Sequence, residues 1–177
     1  MIKAHEETMV VAERKKLMKR GCVGYNRLSG MVPSTIGSLR SLQVISLPHN
    51  LLSGVVPLSL LCNISSLNAH TIKILDLSFN RFTGIVKPES NDSATCSNVL
   101  EKLNLHENQI NGVFPYFLTN FSTLIVLDIS GNLISGYLLD NLGNLMNLEE
   151  FKLGNNSTTC EISVSVKKCE LLREFNL

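Results

Sequence analysis

The chain has 177 residues, of which 44% are hydrophobic and 18% charged, with a formal net charge of +1 and no tryptophan. That length allows one domain of ordinary size, and the composition is too apolar for a disordered polypeptide and free of collagen-like or low-complexity bias. A charge this close to zero excludes a dedicated nucleic-acid binder, which needs a clustered excess of Lys and Arg; the excess lies instead in 29 leucines and 18 asparagines, more than a quarter of the residues.

In chain order, residues 1–24 read as a basic leader outside any repeat. The first twenty, MIKAHEETMVVAERKKLMKR, hold six basic and three acidic side chains. The pattern is that of a short solvated helix or a disordered arm, and the acids interrupt the apolar run that a secretory signal requires. The longest apolar stretch, Leu51 to Cys62, is broken by Ser53, Gly54, Pro57 and Ser59, short of the roughly 18 residues of a membrane span. The five cysteines (Cys22, Cys62, Cys96, Cys160, Cys169) are odd in number and follow no zinc or redox spacing. The histidines, His5, His49, His70 and His106, are equally dispersed, so neither a metal site nor a cofactor is expected.

From Asn26 onward the sequence repeats. Asn26, Asn50, Asn80, Asn108, Asn132 and Asn156 follow one another at intervals of 24, 30, 28, 24 and 24 residues. An apolar residue precedes each complete-repeat asparagine by three (Leu47, Leu77, Leu105, Ile129, Leu153), by five (Ile45, Leu75, Leu103, Leu127, Phe151) and by eight (Leu42, Ile72, Leu100, Leu124, Leu148). Glycine follows by four at Gly30, Gly54, Gly84, Gly112 and Gly136, and proline closes several units. The alternation x-L-x-L-x predicts a short strand buried on one side, and copies stacked in register make a parallel sheet. Asparagine carries both donors and an acceptor, so inside the turn it can bond its own and the neighbouring coil and form a ladder. Glycine permits positive φ on the return path, and proline ends the strand there without needing a donor. Gly and Pro recur before any helix reaches about ten residues, which removes a helical alternative.

These repeats resemble the 24-residue leucine-rich repeats of plant receptor-like serine/threonine kinases, over roughly residues 26–177. The phrases LSGMVPSTIGSLRSLQ, LDLSFNRFTG, LDISGNLISG and LGNLMNLEEFKLGNNS carry the likeness. The resemblance implies an α/β leucine-rich-repeat solenoid, right-handed, with a parallel concave β-sheet and an irregular or 3-10 convex side. It occupies residues 25–177 as about five full repeats, with a last one that stops at Leu177. It further implies a ligand-sensing ectodomain at the extracellular face of the plasma membrane, bound by a peptide, a protein ligand or a co-receptor. No Gly-rich phosphate loop, HRD or DFG segment occurs, so the chain is expected to be non-enzymatic and to represent part of a larger receptor. Uncapped solenoid ends would favour self-association. A soluble protein like the plant polygalacturonase inhibitors, built from the same repeat, is the alternative.

The repeat frame places Cys62 and Cys96 at equivalent positions of adjacent coils, within disulfide reach if the chain is exported. Cys169 reads as a small buried residue at a leucine position and Cys160 as unpaired. Asn63, Asn91, Asn120 and Asn155 are the candidate glycan acceptors, Asn156 being reserved for the ladder. For ligand binding, the concave positions flanking the buried pair of each strand are the natural choice. Asp76 with Ser78 and Asp128 with Ser130 recur as D-x-S and read as structural. The residues that depart from the consensus, His49, Phe79, His106, Glu107 and Lys152, are the candidate ligand-binding set. None of them forms a catalytic constellation with an evident orienting partner.

Overall fold

The structure, a computed structural model, describes residues 20–39, 41–62, 71–85, 99–137, 140–159 and 164–177. Numbered in chain order, one set of short strands recurs once per repeat: β1 (Arg20–Cys22), β3 (Val44–Ser46), β5 (Ile74–Asp76), β7 (Lys102–Asn104), β9 (Val126–Asp128), β11 (Glu150–Lys152) and β13 (Glu174–Asn176). A second set follows the repeat asparagines: β2 (Ser29–Gly30), β4 (Leu51–Val56), β6 (Arg81–Ile85), β8 (Asn111–Val113), β10 (Leu133–Tyr137) and β12 (Ser157–Thr159).

The first set hydrogen-bonds in the order β1-β3-β5-β7-β9-β11-β13 into one seven-stranded sheet. Every pairing in it is parallel and free of register slip. Parallel neighbours need a crossover connection rather than a hairpin, and the rest of each coil supplies it. The register sets Ile45, Leu75, Leu103, Leu127 and Phe151 side by side, each no more than 2% exposed. Leu47, Leu77, Leu105, Ile129 and Leu153 form the next buried column, and Leu42, Ile72, Leu100, Leu124 and Leu148 the one before. Each such side chain contributes about 1.5–3 kcal/mol of burial, and each coil covers the apolar flank of the one before it.

The sheet begins inside the segment expected as leader. β1 pairs Arg20 with Val44, Gly21 with Ile45 and Cys22 with Ser46. Residues 20–24 therefore belong to the first coil. Apolar alternation could not find this strand, because Gly21 stands in the column that isoleucine, leucine or phenylalanine fills elsewhere.

Five of the six repeat asparagines form a ladder with a definite bonding scheme. Asn108 Nδ2 donates to the carbonyls of Leu77, Leu105 and His106 at 3.0, 3.1 and 3.3 Å, while its Oδ1 accepts from the Phe82 N–H at 3.0 Å. Each side chain thus ties its own turn to the preceding coil at both ends. Asn50, Asn80 and Asn132 repeat the scheme, accepting from Leu28, Leu52 and Ile110. Asn156 does so against Ile134. Asn26 makes a single exposed bond, to the Gly24 carbonyl.

The convex side carries 3-10 turns at Ser34–Ser38, Leu58–Leu60, Tyr116–Asn120, Asp140–Asn144 and Val164–Lys168, in agreement with the expected irregular or 3-10 convex layer. Not anticipated are two lateral three-stranded sheets, β2-β4-β6 and β8-β10-β12. Their strands are half exposed and stagger by two residues, with Ser29 level with Leu51 and Leu133 level with Asn111. No clean alternation marks them in the sequence. Gly54 shows what the repeat glycine does here: its φ is +82°, and a Cβ on it would lie 2.9 Å from Met31 Cγ of the coil before. The side chain of one coil rests where the next has none.

Cys62 is buried and disulfide-bonded, and Cys96 lies outside the described residues. Cys169 is 6% exposed, as expected of a residue in a leucine column. Its thiol donates to the Leu142 carbonyl at 3.3 Å, and burial pushes its pKa up. Cys160 lies outside the described residues, as do Asn63 and Asn91. Asn120 and Asn155 are both exposed.

Candidate functional site

The outward-facing residues of the long sheet fall into rows that run across the strands. Ser46, Asp76, Asn104, Asp128, Lys152 and Asn176 share one row by direct register. Two of its carboxylates stabilise the turn that follows. Ser78 donates to Asp76 Oδ1 from its hydroxyl at 2.7 Å and its amide at 3.1 Å. Ser130 does the same to Asp128 at 2.6 and 3.1 Å, and Asn104 Oδ1 receives the His106 amide at 3.1 Å. The D-x-S phrases are therefore turn-stabilising devices, as the sequence reading held.

One contact brings a histidine, a serine and an aspartate together. His106 Nδ1 lies 2.7 Å from Ser130 Oγ and 4.0 Å from Asp128 Oδ1. Because the serine proton is already donated to Asp128, Ser130 accepts from the ring, which places the imidazole proton on Nδ1. The order is His to Ser to Asp. A nucleophilic serine needs the reverse arrangement, a histidine nitrogen free to accept the hydroxyl proton and a carboxylate holding the far side of the ring. This trio is a positioning network for the His106 ring.

Lys152 sits apart from the other candidates. Its ammonium lies 3.1 Å from Glu174 and 3.3 Å from Glu150. The hydrogen bond to Glu174 holds its pKa above the ordinary lysine range, partly opposed by burial and reinforced by Glu150. Two carboxylates already satisfy this cation.

The remaining candidates converge. At the residue before each ladder asparagine the backbone enters the left-handed region: Tyr25, His49, Phe79, Glu107 and Asn155 have φ of 56, 53, 53, 52 and 56°, and Gly131 has 65°. This conformation swings the following asparagine inward beneath the turn, and it projects the preceding side chain to the rim of the sheet. Tyr25, His49 and Phe79 stack there, with centroids 4.2 and 4.1 Å apart and planes within 14 and 10°. His106 then meets the Phe79 ring edge-on at 5.0 Å. Tyr25 is 80% and Phe79 40% exposed. His49, Phe79, His106 and Glu107 thus form one continuous row, and Lys152 stands outside it.

Tyr25 extends this row and was absent from the candidate set. The signal was available: Tyr25 precedes Asn26 as His49 precedes Asn50, at the first residue of the expected repeat region. A second exposed surface was also missed. Met31, Val55, Val113 and Tyr137, each five residues after a ladder asparagine, are 65, 44, 65 and 71% exposed on the lateral sheets. Among the described residues no group of His, Cys, Asp and Glu could hold a metal ion, and no helix is long and apolar enough to cross a membrane.

The Leucine Rich Repeat family pattern matches residues 71–91, 99–121 and 123–145. Receptor-like protein 41 of Arabidopsis thaliana is 33% identical over 131 residues, which cover 73% of this chain and 14% of that protein. The chain is a leucine-rich-repeat solenoid whose repeats are similar to those of plant receptor-like proteins. Among solved structures, the plant peptide hormone receptor RGFR1 in complex with RGF2 superposes with a TM-score of 0.73 at 31% identity, over 89% of this chain and 24% of that one. The ectodomain of the Arabidopsis receptor kinase HAESA, in complex with an N-terminally extended IDA peptide hormone ligand, gives 0.73 at 28% identity, over 88% of this chain and 24% of that one. The leucine-rich-repeat chain therefore spans about a seventh of the receptor-like protein and a quarter of the two ectodomains, and it matches their repeat regions rather than a catalytic domain.

Proposed function

We propose that this chain is a ligand-sensing segment of a plant cell-surface receptor, binding a peptide or protein ligand along its concave sheet. The observation that carries the reading is the row structure of that sheet. A rigid parallel scaffold, fixed coil by coil by the asparagine ladder, presents side chains that change from coil to coil where the repeat leaves them free. Rigid, outward and non-repeating positions are what recognition requires, and stability alone does not demand them. His49, Phe79, His106 and Glu107 are the binding residues in this account, with Lys152 at one flank.

The parent protein is then a membrane-anchored receptor at the extracellular face of the plasma membrane, with a kinase of its own or in a co-receptor. Export would oxidise Cys62 with Cys96 and glycosylate Asn63, Asn91, Asn120 and Asn155. Glycans at those positions avoid the ladder asparagines, whose amides are committed to the backbone.

The test uses the secreted chain and a panel of synthetic peptides about eight residues long, enough to cross six strands at about 4.8 Å spacing. Asn104→Trp, in the middle of the concave row, is expected to abolish the binding of any peptide that the wild type retains. Asn144→Trp, on the exposed convex turn, is expected to leave it unchanged. Equal loss from both, or loss from Asn144→Trp alone, would overturn the reading.

A further inference from the structure

Three successive coils place an aromatic side chain, Tyr25, His49 and Phe79, at a left-handed backbone position. Later coils use Gly131 and Asn155 at the same place, residues that adopt this conformation at little cost. Each of the three aromatic residues is strained there, and the two stacked contacts among them do not outweigh that strain, so folding stability does not account for the aromatic run. Solvent exposure of Tyr25 and Phe79 is not explained by stability either.

The row changes character at its far end. Glu107 takes the next left-handed position, and its carboxylate folds over Gly131: a Cβ on that glycine would lie 2.7 Å from Glu107 Oε1. Asp128, on the next coil, accepts from Ser130 and lies 4.0 Å from His106 Nδ1. The nearby cations are committed elsewhere, Lys152 to Glu150 and Glu174, Lys73 to Glu101 and Arg173 to Glu149. Among the described residues, Glu107 and Asp128 enter no ion pair with Lys or Arg. Lys102 and Arg81, also outside any ion pair, belong to the start of β7 and to the lateral strand β6.

We propose, resting on the concave-face reading above, that Tyr25, His49, Phe79 and His106 form a rail for an extended polypeptide segment, with Glu107 and Asp128 receiving a lysine or arginine at its end. The three ring-to-ring steps of 4.2, 4.1 and 5.0 Å match about four residues of extended chain at about 3.3 Å each. The stacking geometry selects a polypeptide over a sugar. A sugar ring packs on an aromatic face, and the faces of His49 and the inner faces of Tyr25 and Phe79 are covered by one another. What the rail offers along its length is ring edges, the Tyr25 hydroxyl and imidazole nitrogens, which suit apolar side chains and backbone carbonyls. The negative end excludes an acidic terminus and favours a basic one.

Two synthetic eight-residue peptides test this, sharing an apolar Pro-Tyr-Phe stretch and differing by Lys or Glu at one end, measured by calorimetry against the secreted chain. The lysine peptide is expected to bind about tenfold more tightly than its glutamate twin, and Glu107→Gln is expected to erase that difference. Phe79→Ala should weaken the lysine peptide by about tenfold or more, as an interface anchor does. Should Phe79→Ala fail to fold, Tyr25→Ala at the exposed end and Glu107→Gln carry the test. If both peptides bind alike, or bind independently of Phe79, Tyr25 and Glu107 while Asn104→Trp still blocks them, the rail is wrong and the concave-face reading stands. If neither peptide binds, the rail is overturned; the concave-face reading falls only if the wider peptide panel also fails.

Discussion

Replacing Asn108 by alanine tests whether the ladder holds neighbouring coils together. The Phe82 N–H, within a residue fully buried from solvent, loses the Oδ1 that accepts it at 3.0 Å. A buried donor left unpaired costs about 1–3 kcal/mol. On the donor side the loss is milder, because each carbonyl keeps another partner. Leu77 O still receives Asn80 Nδ2, Leu105 O still receives Asn132 Nδ2, and His106 O still receives the Phe79 amide. Adding about 1 kcal/mol for the forfeited side-chain bonds gives a destabilisation of about 2–4 kcal/mol. Asn26→Ala removes one exposed bond to Gly24 O and should cost less than about 1 kcal/mol. Urea unfolding of both variants measures the difference, and hydrogen exchange of the Phe82 amide localises it. Asn108→Asp separates the two halves: it retains an acceptor for Phe82 while removing the donor, so stability should fall with Phe82 protection partly kept. Equal destabilisation by Asn108→Ala and Asn26→Ala, or unchanged exchange at Phe82, would refute the ladder account.

Other expectations follow from single sites. Gly54→Ala places a side chain at φ +82° and should cost about 1–2 kcal/mol, whereas Gly84→Ala, whose nearest neighbour to a new Cβ is Val55 Cγ1 at 3.6 Å, should shift the urea midpoint little. Lys152 has a raised folded pKa, so its contribution is complete below the unfolded lysine pKa and disappears as pH rises through the folded value. Glu174→Gln should lower that titration in a carbon-13 NMR experiment on the lysine side chain, with at most about 1 kcal/mol of stability involved for so exposed a pair. Cys169, buried with a raised pKa, should resist alkylation in the native protein and react fully in urea. A non-reducing peptide map of secreted protein should join Cys62 to Cys96, and a different partner for Cys62 would remove that pairing.

The architecture was legible because a solenoid writes its contacts into its period. The columns of Leu75, Leu103 and Leu127 and the asparagines at 80, 108 and 132 are neighbours in space at the same offset as in sequence. What escaped were features that depend on a side chain being absent or on two coils being compared. Gly21 hides a strand because its column is normally apolar, and the lateral sheet at β4 leans on Gly54, which makes room for Met31. The site was half visible. His49, Phe79, His106 and Glu107 stood out as departures from the repeat, but their union into a row depends on the left-handed turn, which carries no residue signature when aromatics occupy it. Lys152 looked equally exceptional in the sequence, and only the flanking Glu150 and Glu174 of its own and the next strand reveal that its charge is already matched.

In the binding mode proposed above, ligand recognition lies along the aromatic rim of the concave sheet. The chain has three tyrosines: Tyr25 ends the rail, whereas Tyr116, on a convex turn, donates its hydroxyl to the Tyr137 carbonyl of the exposed lateral row. Fluorine NMR of fluorotyrosine-labelled protein, titrated with the lysine-ended peptide, reads all three together. The Tyr25 resonance is expected to shift and saturate while Tyr137 stays fixed. Saturable binding that moves Tyr137 and leaves Tyr25 in place would contradict the account.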